Sequence, residues 1–219
     1  NSPDLVVAVG GDGTFLKTSH YLNQTPIMGV NADPRKSTGF FCCYNNDTFS
    51  KAMNNLEAEK ETTVSRLELT LNGDVLPEQT LNDVLITHKN PAATMRYRIK
   101  DGVYKNSGLL VCTAAGSTAR MYQEGGNVMN LNLKRIQYHE IGVRNAPFSF
   151  TQSLRVESRL NEGTILIDGE DLSYDFPIGS TLEINDGKPL RIIGNLHIKR
   201  LLYNEEEIPH YRADHSFEL

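Results

Sequence analysis

Leu5-Val6-Val7-Ala8-Val9 runs directly into Gly10-Gly11-Asp12-Gly13-Thr14, and no other stretch constrains the fold as tightly. A short continuous apolar run suits a strand buried on both faces of a parallel sheet. The residues after the glycines, Thr14 to Tyr21, can form a helix. Strand, glycine loop and helix in succession are the organisation of an open α/β sheet, where ligands gather beyond the carboxyl ends of the strands. Glycines let the backbone approach phosphate oxygens, and the free N–H groups of a helix start attract negative charge. The loop lacks the Gly-Lys-Ser/Thr ending of a Walker A sequence and is not GxGxxG.

Asp12 is out of place in a loop that embraces phosphate unless it has a task, because it repels the phosphates. It could hold a divalent cation or its waters, or accept the proton of a hydroxyl that attacks a phosphoryl group. The plain alternative is a Gly-Asp-Gly turn with no chemistry. Arg35 and Lys36, beside the loop, are candidates for neutralising phosphate or are merely solvated.

Three zones follow along the chain. Residues 1–62 read as a Rossmann-like α/β unit with an incomplete parallel sheet. Its next strand is Pro26 to Val30, and a helix follows, capped by Asp47, with Phe49, Met53 and Leu56 on one face. A sheet with one strand before its glycine loop is thin, which suggests further βα units on the N-terminal side. From Thr63 the rhythm becomes that of short alternating strands with Asn72-Gly73 and Asp101-Gly102 as turns, so 63–195 reads as a mostly antiparallel β-sandwich. Its strands include Leu67 to Leu71, Gly108 to Thr113, Thr164 to Ile167, Leu172 to Phe176, Thr181 to Asn185 and Leu190 to Ile193, interrupted by a helix over Thr118 to Glu124. The zone 196–219 is a tail.

Net charge −5 argues against a uniform grip on nucleic acid or an anionic membrane. No apolar run approaches the ~18 residues of a membrane span, and Asn1-Ser2-Pro3-Asp4 is not a signal peptide. Cys42, Cys43 and Cys112 form neither a disulfide framework nor a metal knuckle, which fits reduced thiols in the cytoplasm. The six histidines lack ligand spacing and read as packing or surface residues, so no protein-held metal is expected.

Two further segments carry chemistry. Leu81-Asn82-Asp83-Val84 sets two polar residues in a β-rich stretch, where one can brace the sheet end while the other reaches a ligand; an edge pair is the plain reading. Ser107 to Ala119 gives a strand, then the small and hydroxyl residues Thr113-Ala114-Ala115-Gly116-Ser117-Thr118-Ala119, and closes at Gly125-Gly126. Such a wall admits a flat ring or a ribose, or is a helix packed tightly on a sheet.

In this order the three segments resemble the NAD kinase family, ATP-dependent kinases that convert NAD to NADP. The likeness covers Asp4 to about Ile193. The family's GGDGT loop, Asn-Glu/Asp pair and Gly-Ser-Thr-Ala segment read here as Gly10 to Thr14, Asn82-Asp83 and Gly116 to Ala119. The resemblance implies a site between the two units and a tail that packs back on the first. It implies that Asp12 is the general base for the 2′-hydroxyl of the adenosine ribose, with Gly10, Gly11, Gly13 and Thr14 along the phosphates. It implies dinucleotide contacts from Phe40, Asn82, Asp83, Ser107, Ala115, Thr118, Ala119, Arg120 and Asp168. ATP with a divalent cation such as Mg²⁺, NAD or NADH as substrate, and a homo-oligomer belong to the same expectation.

The chain departs from many bacterial members in lacking the proline and final tyrosine of Thr-Pro-Thr/Ser-Gly-Ser-Thr-Ala-Tyr, with Arg120 in the last place. Ser107 stands where aspartate is common, and the Cys-Thr-Ala-Ala-Gly-Ser-Thr-Ala wording is similar to the plant NADH kinase branch. A lipid or sugar kinase with the same glycine loop, and a dinucleotide-binding sensor without transfer, are the rival readings.

Overall fold

The computed structural model describes residues 3–204. The chain opens with β1 (Val6–Gly10), α1 (Asp12–Ser19), β2 (Ile27–Asn31), β3 (Tyr44–Asn45), α2 (Asn46–Asn54) and β4 (Glu61–Val64). Then come β5 (Leu67–Leu71), β6 (Asp74–Val75), β7 (Asp83–His88), β8 (Met95–Ile99), β9 (Gly102–Asn106) and β10 (Gly108–Cys112). A 3₁₀ turn (Gly116–Thr118) and α3 (Arg120–Gln123) precede β11 (Ile136–Ile141), β12 (Ser149–Thr151), β13 (Leu154–Ser158) and β14 (Gly163–Ile167). The last elements are β15 (Ser173–Asp175), β16 (Thr181–Asp186), β17 (Leu190–Ile193) and α4 (Leu196–Asn204).

The first sheet runs β1-β2-β17-β4, with β3 also paired to β2. β1, β3 and β17 lie parallel to β2, and β4 closes the edge antiparallel to β17. The strand expected at 190–193 as part of the sandwich therefore belongs to the α/β unit. Its alternation explains the placement: Leu190 and Ile192 are buried in the first core, while the outward Arg191 forms a two-pronged ion pair with Glu61 at 2.9 and 2.7 Å. The capping residue of α2 also differs from expectation. Asn45, not Asp47, accepts the N–H groups of Asp47 and Thr48, and Thr48 Oγ1 accepts the Asn45 N–H, a reciprocal capping box.

The second unit is a sandwich of two six-stranded antiparallel sheets, β12-β11-β10-β7-β14-β15 and β6-β5-β16-β13-β8-β9. Their inner faces supply one core, in which Leu69, Tyr97 and Val156 of one sheet meet Ile86, Val111 and Ile165 of the other. Burial of each such side chain is worth about 1.5–3 kcal/mol. Asn72 and Gly73 turn the β5–β6 hairpin with φ 55° and 95°. At the next hairpin Ile99 pairs with Gly102, so the two-residue loop is Lys100-Asp101 and Gly102 already lies in β9.

Leu81 and Ala115, from the end of the sandwich, are buried in the core of the first unit beside Phe15, Phe40 and Phe41. Arg66, fully buried, donates from its guanidinium to the carbonyls of Ser19, the last residue of α1, of Leu22 beyond it and of Lys188 before β17. Burial pushes its pKa down to about 10, with Asp168 opposing the shift. Among the described residues no helix is long and apolar enough to cross a membrane. The part of the expected tail at 205–219 lies outside the described residues.

Candidate active site

Gly11 precedes the first turn of α1, and the first helical bond, Phe15 N–H to the Gly11 carbonyl at 3.1 Å, leaves earlier N–H groups of the helix start available to an anion. A Cβ on Gly10 would meet Thr14 Oγ1 at 2.4 Å, so this glycine makes room for the threonine side chain. A Cβ on Gly13 would meet nothing within 4 Å. No protein neighbour explains the glycine there.

Asp12 sits inside that turn. Its Oδ2 and Oδ1 accept the N–H groups of Phe40 and Phe41 at 2.8 and 2.9 Å. The two amides come from a tight turn closed by Cys42 N–H to the Gly39 carbonyl at 3.0 Å. Gly39 has φ +57°, and a Cβ there would run into the Asn31 side chain. The Phe41 ring stacks on Phe15 at 5.1 Å. Each carboxylate oxygen keeps a lone pair beyond the one its amide takes.

Asn82 and Asp83 stand at the start of β7 against the 3₁₀ turn. Thr113 N–H and Oγ1 donate to the carbonyls of Asn82 and Leu81 at 2.9 and 2.6 Å. Gly116 lies so close to Asn82 that an added Cβ would be 2.0 Å from its carbonyl oxygen. The second and third segments are thus one packed unit. The amide oxygen of Asn82 is buried without a hydrogen-bond partner, beside a cavity of about 600 Å³ that Asp83, Ala119, Arg120 and Asp168 also line. Burial pushes the Asp83 carboxyl up to about 7, the nearby Asp168 adds to the rise and Arg120 opposes it. A neighbouring groove of about 560 Å³ shares Leu85, Arg120 and Leu166 with this cavity and continues past Ser107 and His88. On the other side of the 168–170 turn, a cavity of about 620 Å³ is bordered by Gly13, Lys17 and Tyr21.

Four of the candidate contact residues, Asp168, Phe40, Ala115 and Thr118, have their side chains engaged within the protein. Asp168 does not offer its carboxylate outward: the side chain is fully buried and accepts the N–H groups of Leu81, Asn82 and Asp83 at 2.8, 2.6 and 3.0 Å. His20 Nε2 completes the set at 2.9 Å, which leaves the carboxylate saturated and makes it a brace of the site. The Phe40 ring is buried under the Arg200 guanidinium, 5.1 Å from its carbon, and what Phe40 gives the site is its N–H. The Ala115 methyl lies in the first core. Thr118 is buried too, with Oγ1 donating to the Ala115 carbonyl at 3.2 Å. Arg35 and Lys36 are exposed and paired with Asp33. Burial pushes Cys42 and Cys112 up to about 12, so these thiols stay protonated at neutral pH.

His20, Arg66, Lys199 and Arg200 were not singled out in sequence. Each acts on a carbonyl or carboxylate more than 40 residues away, and no local pattern marks such a partner.

A strand that ends in a glycine loop, joined to an antiparallel sandwich, is the architecture of NAD and NADH kinases; here that strand, β1, is at the sheet edge with Val9 58% exposed, and is not buried on both faces as its apolar run led us to expect. The structure superposes on yeast NADH kinase complexed with NADH with a TM-score of 0.80 at 18% identity, covering 96% of this chain and 69% of that one. It also superposes on an NAD kinase from Archaeoglobus fulgidus in complex with ATP, with a TM-score of 0.73 at 21% identity, covering 92% and 82%. The family model for the ATP-NAD kinase N-terminal domain matches residues 1–61. A probable NADH kinase of Oryza sativa subsp. japonica is 32% identical over 225 residues, 85% of this chain and 69% of the rice protein. The chain belongs to the NAD kinase family.

Proposed function

We propose that this chain transfers the γ-phosphoryl group of ATP to the 2′-hydroxyl of the adenosine ribose of NAD or NADH, with Asp12 as general base. The observation that carries the reading is the Asp12 carboxylate in the first turn of α1, held by the Phe40 and Phe41 amides beside the N–H groups of the helix start. The rice and yeast relatives bear NADH kinase names and the archaeal one is complexed with ATP, which supports the substrate pair.

The 2′-oxygen attacks the γ-phosphorus in line. The new O–P bond forms as the bond to the β-phosphate oxygen breaks, the electron pair leaves with ADP, and the hydroxyl proton passes to Asp12. Transfer of this kind depends on placement and cancellation of charge more than on covalent help. The start of α1 and the open approach at Gly13 serve the phosphates. Asn82 and Asp83 offer an amide and a carboxyl group to the dinucleotide, and Arg120 offers a cation to its diphosphate. Among the described residues no three His, Cys, Asp or Glu side chains converge. A Mg²⁺ ion fits as one carried mainly by nucleotide phosphates with at most a single protein carboxylate, a common manner of Mg²⁺ binding, and it would neutralise their charge.

The test is incubation with Mg-ATP and either dinucleotide, with ³¹P NMR to locate the new phosphate. Product phosphorylated at the 2′ position is expected, and well-folded protein that makes none from either dinucleotide refutes the reading. Asp12→Asn should abolish turnover and leave the dinucleotide Kd nearly unchanged.

A further inference from the structure

We propose that Lys199 and Arg200, on the C-terminal helix α4, are positioning residues for phosphoryl transfer: they lock the turn whose amides hold Asp12. The inference rests on the reading of Asp12 as the base.

The turn is grasped at both ends. Lys199 Nζ donates to the carbonyl of Cys42 at 2.6 Å and to that of Gly39. These two residues flank Phe40 and Phe41, whose N–H groups are the ones spent on Asp12. The Gly39 carbonyl shares its peptide unit with the Phe40 N–H, so an ammonium group bound to it and to the Cys42 carbonyl at the far end holds the rotation of that unit and the span of the turn that presents both amides. The Arg200 guanidinium lies over the Phe40 ring, and Nη2 donates to the Ala114 and Ala115 carbonyls at 2.8 and 3.1 Å. Its Nη1 donates to Ser117 Oγ at 3.0 Å, and that hydroxyl in turn accepts the Met129 N–H at 2.8 Å. Arg200 is 5% exposed. One helix therefore ties the turn behind the base to the 114–117 segment, which packs on Asn82 through Gly116.

A guanidinium bonded to three acceptors cannot be replaced by an ammonium without loss of bonds. A small rotation of the turn would swing the Asp12 oxygens, and a misplacement near 1 Å can cost about 10²-fold in rate. Neither α4 residue needs to touch substrate for this effect.

The experiment compares Arg200→Lys and Lys199→Gln with Asp12→Asn in the full chain, using kcat, KM, dinucleotide Kd by calorimetry and thermal unfolding. A second measurement is the rate at which buried Cys42, the last residue of the turn, is alkylated, read by mass spectrometry. The expected result is a kcat lower by about 10–100-fold, a Kd within about twofold, faster labelling of Cys42 and an inactive Asp12→Asn. Arg200→Lys or Lys199→Gln with kcat and labelling within twofold of the parent, beside an inactive Asp12→Asn, overturns this proposal while the base reading stands. An active Asp12→Asn overturns the base reading itself. Should Arg200→Lys fail to fold, Lys199→Gln decides alone, since that lysine is only partly buried.

Discussion

His20 and Asp168 meet across the boundary between the two units, with imidazole Nε2 2.9 Å from carboxylate Oδ2. The carboxylate is fully buried, the imidazole side chain only 11% exposed, and the same carboxylate collects three successive amides from 81 to 83. The backbone that presents Asn82 and Asp83 is thereby fastened to the end of α1, the helix that begins with Asp12.

Removal of the carboxylate should be far more damaging than removal of the imidazole. Asp168→Ala leaves three amides and a histidine without their acceptor and should destabilise the fold by on the order of 3–5 kcal/mol. It also puts alanine at φ +51°, a backbone region that aspartate tolerates better. His20→Ala leaves the amides satisfied and should cost about 1–2 kcal/mol. Urea denaturation separates the two, and equal losses would contradict the assignment of Asp168 as the brace.

Asp83 should make stability fall as pH rises towards neutrality. Its carboxyl is raised from 3.8 to about 7 in the folded protein, chiefly by burial. At pH values below the unfolded pKa it is protonated in both states and its full contribution is present. As pH climbs from there through about 7, the unfolded chain gives up the proton more readily and that contribution is lost. Asp83→Asn removes the dependence, so its melting temperature should gain on the parent between pH 5 and 8, the window spanning about 7. A difference that stays flat across that window would count against the burial of an acid here.

Gly13→Ala and Gly116→Ala should fail in opposite ways. At 116 the new methyl collides with the Asn82 backbone, which cannot yield, so a loss of about 1–3 kcal/mol or more is expected. At 13 the methyl meets no protein atom, and alanine favours a helix by about 0.5–1 kcal/mol over glycine. Stability should hold or rise there while turnover drops at least about tenfold, if phosphate approaches that Cα as proposed. Thermal unfolding and steady-state kinetics on both variants test the pair.

What could be read in the sequence is what neighbouring residues encode. The apolar run into Gly10, the alternation of Leu67 to Leu71 and the Asn72-Gly73 turn each carry their own instruction, and each forms its element. Of the three ordered segments, the second and third pack on each other through Gly116 and Asn82, while Gly13 of the first borders a cavity on the other side of the 168–170 turn. Side-chain direction was not legible. Whether Asp168 faces a ligand or three amides depends on the positive φ at that residue and on β7, more than 80 positions away. Leu190 to Ile193 read correctly as a strand, but its sheet is decided by the parallel pairing with Ile27 and Met28, which no local pattern announces. Lys199 and Arg200 look like ordinary charges on an amphipathic helix until the carbonyls they reach are known.

The pairing of β17 with β2 and β4 also sets an order of events during synthesis. The whole sandwich is threaded between two adjacent strands, Val64 lying opposite Leu190, so its entrance and exit are side by side. Until the ribosome has released that returning strand, the opening α/β segment has a gap in its middle and leaves Ile27 and Met28 without their neighbour on one edge. A nascent chain that stalled within the sandwich would hold its Gly10–Thr14 loop on an unfinished sheet, so competence for the reaction should arrive only with the strand that closes it.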